Sequence, residues 1–153
     1  RADLIGEAKE LTPTMFKSKI HAENGSLNNT PPCYGIYMCR LMFLWLKNEI
    51  GGLKKMKARN EEKAKLIYDF LDSSKLFKGT VEKEDRSLMN IPFVTGSDEL
   101  DALFVKEAAE NGLVNLKGHR TVGGMRASVY NGMPLEGVLK LVDFMKKFEE
   151  EHI

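Results

Sequence analysis

Ser87-Leu88-Met89-Asn90-Ile91-Pro92-Phe93-Val94-Thr95, followed at once by Gly96-Ser97-Asp98-Glu99-Leu100, decides the fold. The first part, rich in Ile91, Phe93 and Val94, reads as a strand packed on a core. The second part changes period. Ser97 suits a helix N-cap, and Asp98 and Glu99 put acids where the helix dipole is positive. Leu100, Leu103, Phe104 and Ala108 then line one stripe of a helix that Asn111-Gly112 ends.

Working outward from this switch, the same two periods recur. Leu113 to Leu116 and Met125 to Tyr130 read as two short strands around a glycine-bearing loop. The last helix starts near Pro134, with Leu135, Val138, Val142, Met145 and Phe148 on its buried stripe and Glu149-Glu150-Glu151 at its solvated end. On the N-terminal side, Phe77 to Val81 reads as a strand. A helix from about Leu53 to Asp72 turns Met56, Ala64, Ile67, Tyr68 and Leu71 inward and Lys54, Lys57, Glu61 and Lys65 outward. The order after residue 73 is strand, strand, helix, strand, strand, helix. Short connections make the sheet antiparallel or mixed, with helices packed on one face. The fold class is α+β, in two layers.

Residues 1 to 30 carry Pro13 and the polar cluster Glu23-Asn24-Gly25-Ser26 and read as mostly loop. Thr30-Pro31-Pro32 reads as a helix start, with Thr30 as cap and Pro31 in the first turn. That helix runs to about Glu49, before Gly51-Gly52, and is apolar on nearly every face, from Ile36 and Tyr37 through Met42, Phe43 and Leu44 to Leu46. Such a helix is expected to be buried in a core or against another subunit. The expected organisation is an irregular segment over 1–30, a connecting helix over 31–50 and a small α/β domain over 51–153.

The 153 residues are 42% hydrophobic and 29% charged, a globular balance. Lys plus Arg is 23 against 22 for Asp plus Glu, so the net charge of +1 excludes nucleic acid or an anionic membrane as a partner driven by the global field. Any anion site must be a local cluster. The apolar run Cys33–Leu46 is shorter than the roughly 20 residues that cross a bilayer. Cys33 and Cys39 match no zinc or redox spacing and read as two free, buried thiols. With no signal peptide at Arg1, the expectation is a cytoplasmic protein. Arg1 in place of Met suggests a fragment or a processed product.

Gly118-His119-Arg120-Thr121-Val122-Gly123-Gly124-Met125-Arg126 is the segment richest in chemistry. It places two guanidinium groups and an imidazole among glycines that let a backbone approach a ligand. Arginine presents a planar fork of donors that fits carboxylate and phosphate oxygens. Arg126, Ser128 and Tyr130 share one strand face, and Met125, Ala127 and Val129 share the core face. The pattern suits a substrate with two anionic groups. By itself, a His-Arg pair in a loop is more often a solvated turn. Asn29-Thr30, ahead of a helix N-terminus, suits a further anion, although such a pair is more often a plain cap. His21 lies alone in a polar segment. No metal-ligand motif is present, and the lysines all read as lying on charged helix faces or in polar loops.

Asn29-Thr30-Pro31-Pro32, Gly35-Ile36-Tyr37-Met38, Arg59-Asn60-Glu61-Glu62-Lys63-Ala64, Gly118-His119-Arg120, Gly123-Gly124-Met125-Arg126-Ala127-Ser128, Tyr130-Asn131 and Met133-Pro134-Leu135-Glu136-Gly137-Val138 together resemble the phosphoserine aminotransferase family. Asn28 stands where that pattern has an aromatic residue. The resemblance implies the C-terminal domain of a fold type I pyridoxal-phosphate enzyme, acting as a homodimer with sites at the subunit interface. It implies transfer of an amino group between glutamate and 3-phosphohydroxypyruvate, giving phosphoserine and 2-oxoglutarate, for serine and in many bacteria pyridoxine biosynthesis. It further implies that His119 and Arg120 hold the substrate phosphate and Arg126 the α-carboxylate. Asn29 and Thr30 would reach the cofactor phosphate in the neighbouring subunit's site. The cofactor-bearing lysine of the family would lie upstream of Arg1, so the chain alone is expected to lack transaminase activity and to contain no catalytic residue. The competing expectation is a stand-alone, non-catalytic α/β module that binds a small anionic metabolite or mediates dimerisation.

Overall fold

A computed structural model describes residues 1–153. Along the chain lie α1 (Ser18–Glu23), α2 (Cys33–Trp45), α3 (Leu53–Ser73), β1 (Lys78–Gly79), β2 (Asn90–Val94), α4 (Asp98–Glu110), β3 (Met125–Ser128) and α5 (Leu135–His152). They divide into two units, residues 1–45 and 46–153.

The second unit is built on the sequence pattern around β2. Its side chains alternate, with Ile91 and Phe93 buried and Asn90, Pro92 and Val94 half-buried. The sheet has three strands in the order β1-β2-β3, antiparallel throughout. Register is set by Gly79 opposite Phe93, and by Ile91 opposite Ala127 and Phe93 opposite Met125. Matching the two buried faces in this way keeps the alternation coherent, because a one-residue slip would turn Met125 and Ala127 to water. The helices α3, α4 and α5 supply the second layer. Ile67, Phe104, Met145 and Phe148 are at most 1% exposed. Phe104 is the hub of this core, with ring centroids 5.1 Å from Phe77, 5.2 Å from Phe148 and 5.9 Å from Phe93, all edge-on. Edge-to-face packing of this kind adds to the area term because ring edges are positive and ring faces negative. The two-layer α+β fold is as expected.

Local signals explain most boundaries. The Ser97 hydroxyl accepts from the Leu100 N–H at 3.3 Å, capping α4 as the sequence implied. Asn111 and Gly112, the latter at φ +77°, end it. Tyr68 donates to the Ser87 carbonyl at 2.9 Å, and Arg86 lies 4.5 Å from the centre of its ring. Arg86 also clasps Asp72 through its two terminal guanidinium nitrogens, fastening the segment before β2 to α3. This pairing, with Lys83 nearby, holds the Asp72 carboxyl well below its ordinary value, at about 2.

Two expectations fail here. Leu113–Leu116 is not a strand: the pairing beside β3 is reduced to the Lys117–Met125 bridge and one bond from the Arg126 N–H to the Leu116 carbonyl, at 2.7 Å. Asn115 sits at φ +63°, which breaks the extended run. Nor are all lysines solvated, since Lys63 is 3% exposed.

The first unit has no buried residue. Residues 18–23 form the short α1, where mostly loop was expected. His21 is tied by Nε2 to the Met15 carbonyl at 2.8 Å. The helix α2 begins two residues later than the capping pattern suggests. The Ile36 N–H bonds the Pro32 carbonyl, so Pro32 and not Thr30 stands at the cap. Tyr34, Ile36, Tyr37, Met42 and Phe43 are 47–77% exposed. The core alternative therefore fails within residues 1–45, and the other expectation, cover by a second subunit, is the one that remains. Cys33 and Cys39 are free, as expected, but exposed instead of buried. In the second unit, Leu46–Ile50 forms a π-helical turn before Gly51 and Gly52. No helix is long and apolar enough to cross a membrane.

Candidate anion-binding site

The loop before β3 is closed by its own backbone. The Gly118 N–H donates to the Gly124 carbonyl at 2.8 Å, and the N–H groups of Val122 and Gly123 both reach the His119 carbonyl, at 2.9 and 2.8 Å. Glycine is obligatory at position 118, because a Cβ there would stand 2.0 Å from the Gly123 carbonyl oxygen. Gly124 combines φ +62° with a Cβ position 2.7 Å from Val94, so the chain crosses β2 there with no room for a side chain. The glycines therefore draw the loop tight and leave His119 and Arg120 exposed at its tip.

The imidazole of His119 is oriented by Thr121. Its Nδ1 lies 2.7 Å from the Thr121 hydroxyl and 3.3 Å from the Thr121 N–H. A backbone N–H only donates, so Nδ1 accepts and the neutral ring carries its proton on Nε2. That leaves Nε2 as a donor toward an incoming oxygen. His119, Arg120 and Lys117 line a cavity of about 500 Å³ whose other wall includes Asp98 and Asp101. Asp101 is committed internally, accepting from the Thr95 N–H at 2.8 Å and the Thr95 hydroxyl at 2.7 Å. Asp98 is exposed, so an anion is favoured only on the side of the cavity formed by Lys117, His119 and Arg120.

Arg126 lies on β3, half-buried, with Ser128 and Tyr130 on its face of the strand and Met125, Ala127 and Val129 buried behind it. This is the alternation read from the sequence. Its Nε is buried and has no hydrogen-bond partner. The Nε of Arg86 is buried and unpaired in the same way, although that guanidinium already holds Asp72. Arg126 lines a second cavity, of about 550 Å³, with Asn115, Ser128, Tyr130 and Lys140. The structure therefore brings His119 and Arg120 together at one cavity and places Arg126 at another, lined by β3 and α5. Asn29 and Thr30 belong to the first unit, in the exposed loop before α2. The Asn29 amide nitrogen points at the Met15 sulfur, 3.6 Å away, a weak acceptor.

Several polar residues around Arg126 escaped the sequence analysis. Asn90 on β2 accepts from the hydroxyls of Ser128 at 3.3 Å and Tyr130 at 3.1 Å. Lys63 on α3 donates to the carbonyls of Val129 at 3.3 Å, Tyr130 at 2.8 Å and Met133 at 3.1 Å. Burial, with Arg59 as a secondary cause, lowers the pKa of its ammonium. The signal was present: Asn60 and Lys63 fall on the same helical stripe as Met56, Ala64 and Ile67.

The model of the class-V aminotransferases matches residues 6–141. The chain belongs to the class-V aminotransferase family. Within that family it is 57% identical to phosphoserine aminotransferase 2, chloroplastic, of Arabidopsis thaliana, over 99% of this chain and 36% of that protein. A phosphoserine aminotransferase of Streptococcus thermophilus is 54% identical over 99% of this chain and 42% of that protein. The solved phosphoserine aminotransferase from Bacillus circulans subsp. alkalophilus superposes with a TM-score of 0.90 at 44% identity, covering all of this chain and 42% of its own. The chain thus spans about two fifths of the length of these class-V relatives.

Proposed function

We propose that this chain acts as part of a phosphoserine aminotransferase, moving an amino group between glutamate and 3-phosphohydroxypyruvate to yield phosphoserine and 2-oxoglutarate. One observation carries the proposal. The glycine-locked loop offers His119 and Arg120 to one anion, and β3 offers Arg126, which lines a second cavity, to another. Phosphoserine and its keto acid carry two such anions, a phosphate and a carboxylate. His119 and Arg120 would take the phosphate, with His119 donating from Nε2. Arg126 would take the α-carboxylate, pairing it in the bidentate geometry that favours arginine over lysine.

The cofactor of such an enzyme is pyridoxal phosphate, which when bound supplies the electron sink for chemistry at the substrate α-carbon. Asn29 and Thr30 fit its phosphate. Both are exposed donors just ahead of the α2 N-terminus, and an anionic oxygen is a far better acceptor than the Met15 sulfur now facing Asn29. In this proposal they serve the neighbouring subunit of a homodimer, with residues beyond these 153 completing the site. The apolar, exposed circumference of α2 supports a subunit contact. Serine biosynthesis, and pyridoxine biosynthesis in addition, are the proposed pathways. A cytoplasmic location is proposed on the two free thiols, which suit a reducing compartment; the chloroplastic name belongs to the Arabidopsis relative.

The test is steady-state kinetics of the full-length enzyme carrying His119→Ala, Arg120→Ala or Arg126→Ala. Each change at the loop raises KM for phosphoserine at least about tenfold, as loss of a charge-assisted contact does, and raises KM for glutamate less, because a γ-carboxylate carries less charge than a phosphate. Arg126→Ala raises both. Unaltered handling of phosphoserine by all three variants would overturn the proposal in favour of a non-catalytic module.

A further inference from the structure

We propose that Lys63 is a positioning residue, which from the buried stripe of α3 clamps the turn after β3 and so fixes the strand that presents Arg126. This deepens the proposed function and rests on the carboxylate role given there to Arg126.

The clamp is visible atom by atom. The Lys63 Nζ meets the carbonyls of Val129, Tyr130 and Met133 at 3.3, 2.8 and 3.1 Å. The turn itself contributes one internal bond, from the Met133 N–H to the Tyr130 carbonyl at 2.9 Å. A second tie comes from the same face of α3, where the Asn60 amide donates to Asn131 Oδ1 at 2.8 Å. On the sheet side, the Val129 N–H reaches the Met89 carbonyl at 2.8 Å, and the Ser128 and Tyr130 hydroxyls converge on Asn90 Oδ1. The strand β3 is only Met125–Ser128. Its entry is held by the glycine loop and its exit by Lys63, with Arg126 between them.

The choice of lysine at this position calls for an explanation beyond packing. Residue 63 lies on the stripe that also buries Met56, Ala64 and Ile67, where an apolar side chain would pack without charge. Burying an ammonium with carbonyls but no carboxylate as partners is costly. What the ammonium does that leucine or methionine cannot is converge several carbonyls of one turn on a single point. A turn so ordered leaves β3 little freedom to tilt, and a small misplacement of Arg126 at the strand centre is enough to weaken its hold on a carboxylate.

The experiment uses the full-length, cofactor-loaded enzyme. Lys63→Met keeps the length and apolar stem and removes the donors. Backbone amides of residues 130–133 are then expected to exchange at least about tenfold faster with deuterium. KM for phosphoserine and for glutamate is expected to rise by the same factor, about tenfold, because both substrates present an α-carboxylate, while kcat stays within about threefold. Should Lys63→Met fold poorly, Asn60→Ala removes the second tie and shows the same paired rise at about threefold. A lower melting temperature or faster exchange with both KM values unchanged overturns the positioning role, as does a rise confined to phosphoserine. Arg126→Ala measured alongside separates the two failures. If it raises KM and Lys63→Met does not, only the positioning role falls; if it does not, the carboxylate role falls and the positioning role with it.

Discussion

The helices α2 and α5 are both rich in large apolar side chains, yet they meet opposite fates. In α5, Val138, Leu141, Val142, Met145 and Phe148 are all buried. In α2 no residue is buried, and Tyr34 and Phe43 are 77% and 66% exposed. The difference lies in arrangement and company. The apolar residues of α5 form one stripe, and α3, α4 and the sheet offer a complementary face. Those of α2 surround the helix, and residues 1–45 offer nothing to match them. Hydrophobicity therefore sets only the drive to be covered; whether the drive is met depends on a partner surface of the right shape. The same contrast separates the residues proposed to bind anions. Arg126 stands on a strand backed by the core, whereas Asn29 and Thr30 stand in an exposed loop.

The comparison can be broken most sharply at the core hub. Phe104→Ala should destabilise the second unit by about 3–5 kcal/mol, read as a lower urea midpoint, because Phe104 is fully buried against Phe77, Phe93 and Phe148. A smaller loss, of about 1–3 kcal/mol, is expected from Gly118→Ala, whose Cβ must push the Gly123 carbonyl away from 2.0 Å. The loop should open, and the full-length enzyme should bind phosphoserine more weakly; unchanged affinity would show that the loop's closed form is not required.

Acid sharpens the comparison from the electrostatic side. Asp72 has its pKa lowered to about 2 by Arg86 first and Lys83 second. A depressed carboxylate stabilises the fold fully above its unfolded value, and that contribution is lost as pH falls from about 4 toward 2. With the carboxylate one-third exposed, solvent screening limits the effect to about 1 kcal/mol or less. Asp72→Asn should flatten the acid limb of a stability profile by this amount and leave the neutral limb lower by the same margin. The smallest change in folding stability, within about 0.5 kcal/mol, is expected from Phe43→Ser on the exposed circumference of α2. Its effect should fall on association: sedimentation of the 153-residue chain should show self-association that Phe43→Ser reduces. A monomeric parent chain at high concentration would remove the basis for treating α2 as a contact surface.

What the sequence determined by itself was local and periodic. The alternation at Met125–Tyr130, the stripes of α3 and α5 and the cap at Ser97 are all consequences of neighbours a few residues apart, so they could be read before any fold was known. The glycine-flanked His119-Arg120 and the strand-borne Arg126 were legible for the same reason, once residue chemistry and a family resemblance were combined. The tertiary structure alone decided where segments distant along the chain converge. It placed His119 and Arg120 at one cavity and Arg126 at another, and it replaced the expected Leu113–Leu116 strand by a single bridge. It also buried Lys63 under carbonyls from a turn nearly seventy residues away. Helical periodicity indicates that position 63 faces inward, but whether a buried ammonium finds oxygen or hydrocarbon depends on which backbone the fold packs against it. That is settled by long-range packing and hydrogen bonding, which no local pattern encodes.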